Sequence, residues 1–355
     1  MALTRRECLG MLAAGAAGAM GSAGWPRVAH ARRAPLTYFA WTPILRGPLD
    51  PAGRVGGTRS RLNVILGDGT NSLLVASESA WMLVDTKSAP VGAMLRDHFK
   101  YFKANAAQPG MVINTHYHRD TTGGNEAFLG ATPIIAHPNA IRRIRNQHIS
   151  YRIAAETFFR AQEGGDKLKQ GFVDASLGRT REKFAAWMPE DFLPGRAMEG
   201  PVEIVSVGTG AGKIEAELYH FGPGHTDGDI VVRFPAFNVM HVGDLCFNRC
   251  HAFIDRGAAS TTAAWTGVLN KVIDLCDKDT IIVPGNGEVT DVQGLKDQIS
   301  YFDQVRAAVK KLVDAGEQRS AAERLEIERF KDYGLPQVRA VCFGAVYDEL
   351  TRGAK

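Results

Sequence analysis

The chain has 355 residues, 45% of them hydrophobic and 23% charged, with 42 Lys+Arg against 38 Asp+Glu. Those fractions exclude a disordered, collagenous or coiled-coil chain and leave ample apolar material for a buried core. A net charge of +4 is too small to argue for nucleic acid or an anionic membrane as a partner.

Residues 1–31 read as an export signal. Arg5 and Arg6 precede a small, apolar run from Leu9 to Gly24, which is shorter than the ~20 residues a membrane-spanning helix needs. Ala29-His30-Ala31 then supplies the small-x-small pattern of a cleavage site. Paired arginines before a mild apolar stretch resemble a twin-arginine signal, with a general-secretory signal as the alternative. Cleavage after Ala31 implies a periplasmic or secreted protein with no stable membrane anchor, and makes the twin-arginine export machinery, which carries folded proteins, an expected partner. Cys8 leaves with the signal. Cys246, Cys250, Cys276 and Cys342 remain; a Cys246–Cys250 bridge is one option, but four thiols in so long a chain make no disulfide scaffold, and free, buried cysteines are expected.

Residues 32–59, rich in Arg, Gly and Pro, read as an irregular lead-in. Ser72–Ser77 and Trp81–Asp85 are short apolar runs with a polar break, the pattern of a β-hairpin. Val91, Met94, Leu95, Phe99 and Phe102 fall at helical spacing. Met111–Asn114 reads as a buried strand and Ile134–Ala136 as another, followed by a helix from Asn139 to about Gln162. Residues 163–200 mix Gly, Pro and charges with isolated aromatics, as an insertion would. Strands follow near Val202–Val205, Ile214–Phe221, Ile230–Phe234 and Asn238–Val242. A helix over Thr262–Cys276, a strand at Thr280–Val283 and helices near Val292–Ala315, Ala321–Asp332 and toward Leu350 complete the chain. This order suggests two sheets with outer helices and argues against regular βαβ alternation.

The first buried strand runs directly into Thr115-His116-Tyr117-His118-Arg119-Asp120-Thr121-Thr122. Two histidines at i and i+2 can aim at one point where the backbone turns, and imidazole suits zinc, iron and copper. Asp120 lies close enough to orient a water there. Gly222-Pro223-Gly224-His225-Thr226-Asp227-Gly228-Asp229 places a third histidine in a glycine-rich turn between strands. Gly243-Asp244 puts a carboxylate at the end of another strand, and Pro284-Gly285-Asn286-Gly287 is a further tight turn at a strand end.

These residues resemble the metallo-β-lactamase superfamily. The likeness covers residues 60–310 and includes the hairpin with Asn71, the Val84-Asp85-Thr86 turn and the four segments above. It implies an α/β fold of the αββα four-layer sandwich type over residues 60–312, with 163–200 as an insertion near the cleft and 313–355 as a helical extension. It further implies that His116, His118 and His225 hold a first metal, that Asp244 bridges two metals and that Asp120 binds the second.

Thr121 and Asn286 stand where the family usually has histidines. A second site would keep only Asp120, Asp244 and the amide oxygen of Asn286, an oxygen set poorly suited to zinc. The expectation is therefore one zinc ion in a hydrolase that turns a metal-bound hydroxide on an ester, thioester, lactone, lactam or phosphoester of a small-molecule substrate, with Asp120 as general base. Thr121, Asn286, Arg249 and His251 are candidates for shaping the pocket or meeting substrate, and His251 for replacing a lost ligand. Two other readings stand beside this one. A persulfide-dioxygenase-like protein would hold a single iron by His116, His225 and Asp244. A degenerate member would bind metal or ligand without turnover.

Overall fold

The computed structural model describes residues 40–43, 61–67, 69–88, 110–130, 132–147 and 188–352, with the single positions Gly92, Leu95, Arg96, Ile153 and Ala186. The export signal, most of the helix expected over 91–102, the second half of the helix expected to reach Gln162 and most of the 163–200 insertion lie outside the described residues.

Seven strands form the first sheet in the order of the chain: β1 (Ala40–Pro43), β2 (Arg61–Leu66), β3 (Ser72–Ala76), β4 (Trp81–Val84), β5 (Gly110–Ile113), β6 (Ile134–Ala136) and β7 (Arg196–Ala197). It is antiparallel from β1 to β4 and parallel from β4 to β7. The hairpin read at Ser72–Asp85 is the β3–β4 pair. Residues 40–43, inside the stretch expected to be irregular, instead form an edge strand paired with β2. Five strands form the second sheet in the order β12-β11-β10-β9-β8: β8 (Val202–Val207), β9 (Ile214–Tyr219), β10 (Val231–Phe234), β11 (Val239–Phe247) and β12 (Ile281–Asn286).

Alternation along the strands decides what each face meets. Leu73, Val75, Met82 and Val84 of the first sheet pack against Ala216, Leu218, Val232 and Phe234 of the second, so the two sheets share one buried layer. On the outer face of the first sheet, Leu74, Trp81 and Leu83 meet Ala140 and Ile144 of helix α2 (Pro138–Arg145); helix α1 is the short turn Arg119–Thr122. On the outer face of the second, Met240, Val242 and Ile282 meet Trp265 and Leu269 of α3 (Thr262–Asp274) and Phe302 and Val305 of α4 (Val292–Asp314). The result is helix, sheet, sheet, helix: an αββα sandwich. Two further helices, α5 (Arg319–Arg324) and α6 (Pro336–Arg352), continue the outer layer. Among the described residues no helix is long and apolar enough to cross a membrane.

The two sheets are tied together at the end where β5 and β12 terminate. Ile230 N donates to Thr115 O (2.7 Å), and Asn71 N to Gly285 O (2.7 Å). The Asn71 side chain donates again to Pro284 O (2.9 Å) and Gly287 O (2.8 Å), and its own carbonyl accepts from His241 Nε2 (2.9 Å). Asn71, signalled by the hairpin motif, is thus the peg that seats the turn after β12.

Candidate metal centre

Two loops bring the three histidines to the site. β5 ends at Ile113, and the bend over residues 115–117 lets His116 and His118 turn to the same side before α1 begins. His225 comes from the glycine-rich connection between β9 and β10. Asp244 lies inside β11, where the pairing with β12 slips on either side of Gly243, which has a φ of +53°. A local register slip of this kind re-aims a side chain. The backbone of Gly285 approaches closely here: a Cβ on it would lie 2.0 Å from Asp244 Oδ1.

His116 Nε2 lies 3.1 Å from His118 Nδ1, which lies 3.0 Å from His225 Nε2. Asp244 Oδ2 is 3.8 Å from His116 Nε2 and 3.6 Å from His225 Nε2. All four ligand atoms fall within 4.8 Å of one another. A tetrahedral zinc about 2.05 Å from each nitrogen sets nitrogens about 3.3 Å apart, so the imidazoles stand at the spacing one ion requires.

The outward nitrogens show which inner atoms carry lone pairs. His116 Nδ1 donates to Thr115 Oγ1 (3.1 Å), His118 Nε2 to Asp255 Oδ2 (2.8 Å) and His225 Nδ1 to the Phe253 carbonyl (3.0 Å). A neutral ring that spends its single proton on such an outward bond turns a bare nitrogen toward the centre. Burial, then the neighbouring rings, hold His116 and His225 well below the usual histidine pKa, which keeps them in this neutral form. Burial and the charges of Asp120, Asp85 and Asp229 push Asp244 well up, and the Asn286 amide opposes this. Three inward lone pairs and a buried carboxylate repel one another unless a cation lies between them. The donor set therefore fits a divalent metal.

The sequence matches the family model described as metallo-beta-lactamase superfamily over residues 65–285, more than half of the chain. The chain belongs to the metallo-β-lactamase superfamily. Solved structures similar to it include the DIM-1 metallo-beta-lactamase exposed to ceftazidime, at 14% identity and a TM-score of 0.48, covering 71% of this chain and 95% of that one. VMB-1 follows at 17% identity and 0.47, covering 71% and 95%. A metallo-beta-lactamase from Pontibacter korlensis is similar at 16% identity and 0.46, covering 70% and 97%. None of the curated proteins compared with the chain matches it.

The other residues singled out from the sequence of this superfamily member are distributed around the cluster or away from it. Thr121 is buried, with its hydroxyl 3.4 Å from His116 Nε2 and 3.2 Å from the Thr70 hydroxyl. Asn286 turns its amide nitrogen, not its oxygen, to the site and donates to Asp244 Oδ1 (2.9 Å). An amide nitrogen only donates, so Asp244 Oδ1 is the acceptor in this pair. Asp120 is half-buried at the rim, close enough for its charge to raise Asp244, and among the described residues no donor is bonded to its carboxylate.

His251 is not brought to the metal centre. Its Nδ1 is bonded to Tyr301 Oη (3.0 Å), and its ring packs against Tyr333 and Phe343. The loop after β11 turns it into the C-terminal helical core, where an aromatic pocket receives it. Arg249 is exposed at the same loop, with a φ of +54°, and its carbonyl accepts from Gly334 N. Cys246, Cys250, Cys276 and Cys342 are all free thiols.

Two further contributors have no role assigned from the sequence: Asp255, which no motif announces, and Asp85, which lies in the Val84-Asp85-Thr86 turn. Asp255 accepts from both His118 Nε2 and Tyr117 Oη on the same oxygen. Its pKa is held far below the usual carboxylate value by the His118 and Tyr117 bonds, which outweigh burial. Asp85 accepts from Thr115 N (2.7 Å) and Thr115 Oγ1 (2.8 Å), fixing the hydroxyl that receives His116. Burial pushes Asp85 up to about 8, against the pull of its Thr115 donors and of Lys87.

Proposed function

We propose that the protein is a mononuclear zinc hydrolase acting on a small-molecule ester, thioester, lactone, lactam or phosphoester. The carrying observation is the set of three inward imidazole nitrogens beside Asp244 Oδ2, flanked by Thr121 and by an Asn286 whose amide is spent on Asp244. Nitrogen-rich donor sets favour zinc, and the oxygens left for a second ion do not. A metal held there supplies Lewis acidity and a hydroxide at neutral pH, by lowering the pKa of water to about 7.

The chain's own residues do the rest. His116, His118 and His225 hold the ion, and Asp244 completes the set. Asp120, at the exposed rim, accepts the proton of the attacking water and returns it to the leaving group as the scissile bond to carbon or phosphorus breaks. Asn286 keeps Asp244 turned to the centre, and the Thr121 hydroxyl, paired with Thr70, packs beside the His116 ring.

Elemental analysis of the purified protein, with turnover on ester, lactam and phosphodiester substrates, tests this reading. One zinc per chain with hydrolysis of one class supports it. Iron with oxygen consumption, or two metals per chain, overturns it. Asp120→Ala is expected to keep the metal and lower kcat about 100-fold or more, the range of a general base; full activity removes that role.

A further inference from the structure

Helix α2 carries no ligand, yet its N-terminal half is docked on the metal-bearing loops. Asn139 Nδ2 donates to Asp227 O (2.8 Å), and a Cβ on Gly228 would stand 2.9 Å from Ala140 N, so the turn that follows His225 lies against the helix. One turn further along, Arg143 makes four contacts on three loops. Its Nε and Nη2 fork onto Asp227 Oδ1 and Oδ2 (2.7 and 2.9 Å), two residues after His225. Its Nη1 donates to Gly257 O (3.0 Å), two residues after Asp255. Its Cζ lies 5.4 Å from the centroid of the Tyr117 ring, which sits between His116 and His118 and hydrogen-bonds Asp255.

We infer that Arg143 is a positioning residue, a staple that holds the His116–His118 loop, the His225 turn and the Asp255 loop in the one register at which their nitrogens converge. This rests on the reading of the cluster as a metal centre, not on any substrate. A planar fork with separate donors can meet a carboxylate and a carbonyl at once, while lying over an aromatic ring; a lysine cannot.

The test uses the full chain and reads metal, not turnover. Zn²⁺ affinity is measured by competition with a chromogenic chelator, Co²⁺ coordination by its visible absorption, and the metal-free protein by thermal unfolding. Arg143→Met is expected to weaken Zn²⁺ about 10- to 100-fold, the range for lost partners of ligating groups, and to alter the Co²⁺ spectrum. Arg143→Lys should recover little, and Asp227→Asn should share the loss without adding to it in the double variant. Arg233→Met, which breaks a comparable pair with Glu217 on β10 and β9, is the control for general destabilisation. If R143M does not accumulate, D227N still reads the link to His225. Zn²⁺ affinity within twofold of the parent and an unchanged Co²⁺ spectrum in R143M or D227N overturn the inference, as does an equal loss in R233M. A chain that binds metal normally but hydrolyses nothing bears on the proposed reaction and leaves these readouts intact.

Discussion

Replacing Asp255 by asparagine would leave the shape of the Tyr117–Asp255–His118 contact and remove its charge. The carboxylate does two things for His118: it fixes the proton on Nε2, and so the lone pair on Nδ1, and it holds the ring in the orientation that aims Nδ1 at the centre. Asp255→Asn should therefore weaken Zn²⁺ binding about 10- to 100-fold. The metal-free protein should also lose stability at neutral pH, because the bonds that hold the Asp255 carboxyl down are made in the folded state. A chelator competition titration checks this, and Tyr117→Phe should do less, since Asp255 keeps the His118 bond. The four ligands were legible because each sits in a short motif whose glycines and spacing betray a turn aimed at a point. Asp255 was not, since its partner His118 lies 137 residues away in the chain and no local pattern connects them. The same holds for Arg143, which reads as one more charge on an arginine-rich helix until Asp227 is seen beside it. Asn286 was noticed for a missing histidine, but which end of its amide faces Asp244 is decided only by the fold.

At the scale of elements, the strands that carry ligands were readable and the ones that brace them less so. β3, β4, β5 and β6 are apolar runs with clean breaks. β2 and β1 escaped notice because they flank an Arg-, Gly- and Pro-rich stretch, and they extend the β3–β4 hairpin at the sheet edge. The helix expected over Ala321–Asp332 ends early, at Arg324, because Leu325 turns extended (ψ 135°) and lets Leu325 and Ile327 reach the core. Asn71→Ala tests how these pieces are joined. It would strip donors from one carbonyl of β12, Pro284, and one of the turn after it, Gly287, costing about 2 kcal/mol or more in urea unfolding and loosening Asn286. His251 offers a second test, because it joins the loop after β11 to α4 and α6. Burial lowers its pKa to about 4 from a usual 6.5, so the folded state keeps it neutral while the unfolded chain protonates. Stability from this group is present above pH 6.5 and is lost as pH falls toward 4. The stability advantage of the parent over His251→Gln should shrink across that window; a constant gap from pH 7 to pH 4.5 would refute the assignment.

For the whole molecule, the metal centre is a property of the finished sandwich. His116 and His118 leave the first sheet, His225 and Asp244 belong to the second, and the pegs between the sheets, Ile230 on Thr115 and Asn71 on Gly285, lie at the same end as the ligands. The four ligands run from His116 to Asp244 in the chain and lie on two sheets, so the site is complete only when both sheets are in place. That gives the proposed twin-arginine route a physical use: a protein exported folded can be loaded before it leaves the cytoplasm, whereas one threaded through a membrane unfolded must find its metal outside. Changing Arg5 and Arg6 to lysine together should strand the protein in the cytoplasm, with the signal uncleaved and its metal content unchanged. Cell fractionation with metal analysis of each fraction reads both. Undiminished periplasmic protein in the double variant would mean that the chain travels unfolded and that its ion is acquired after export.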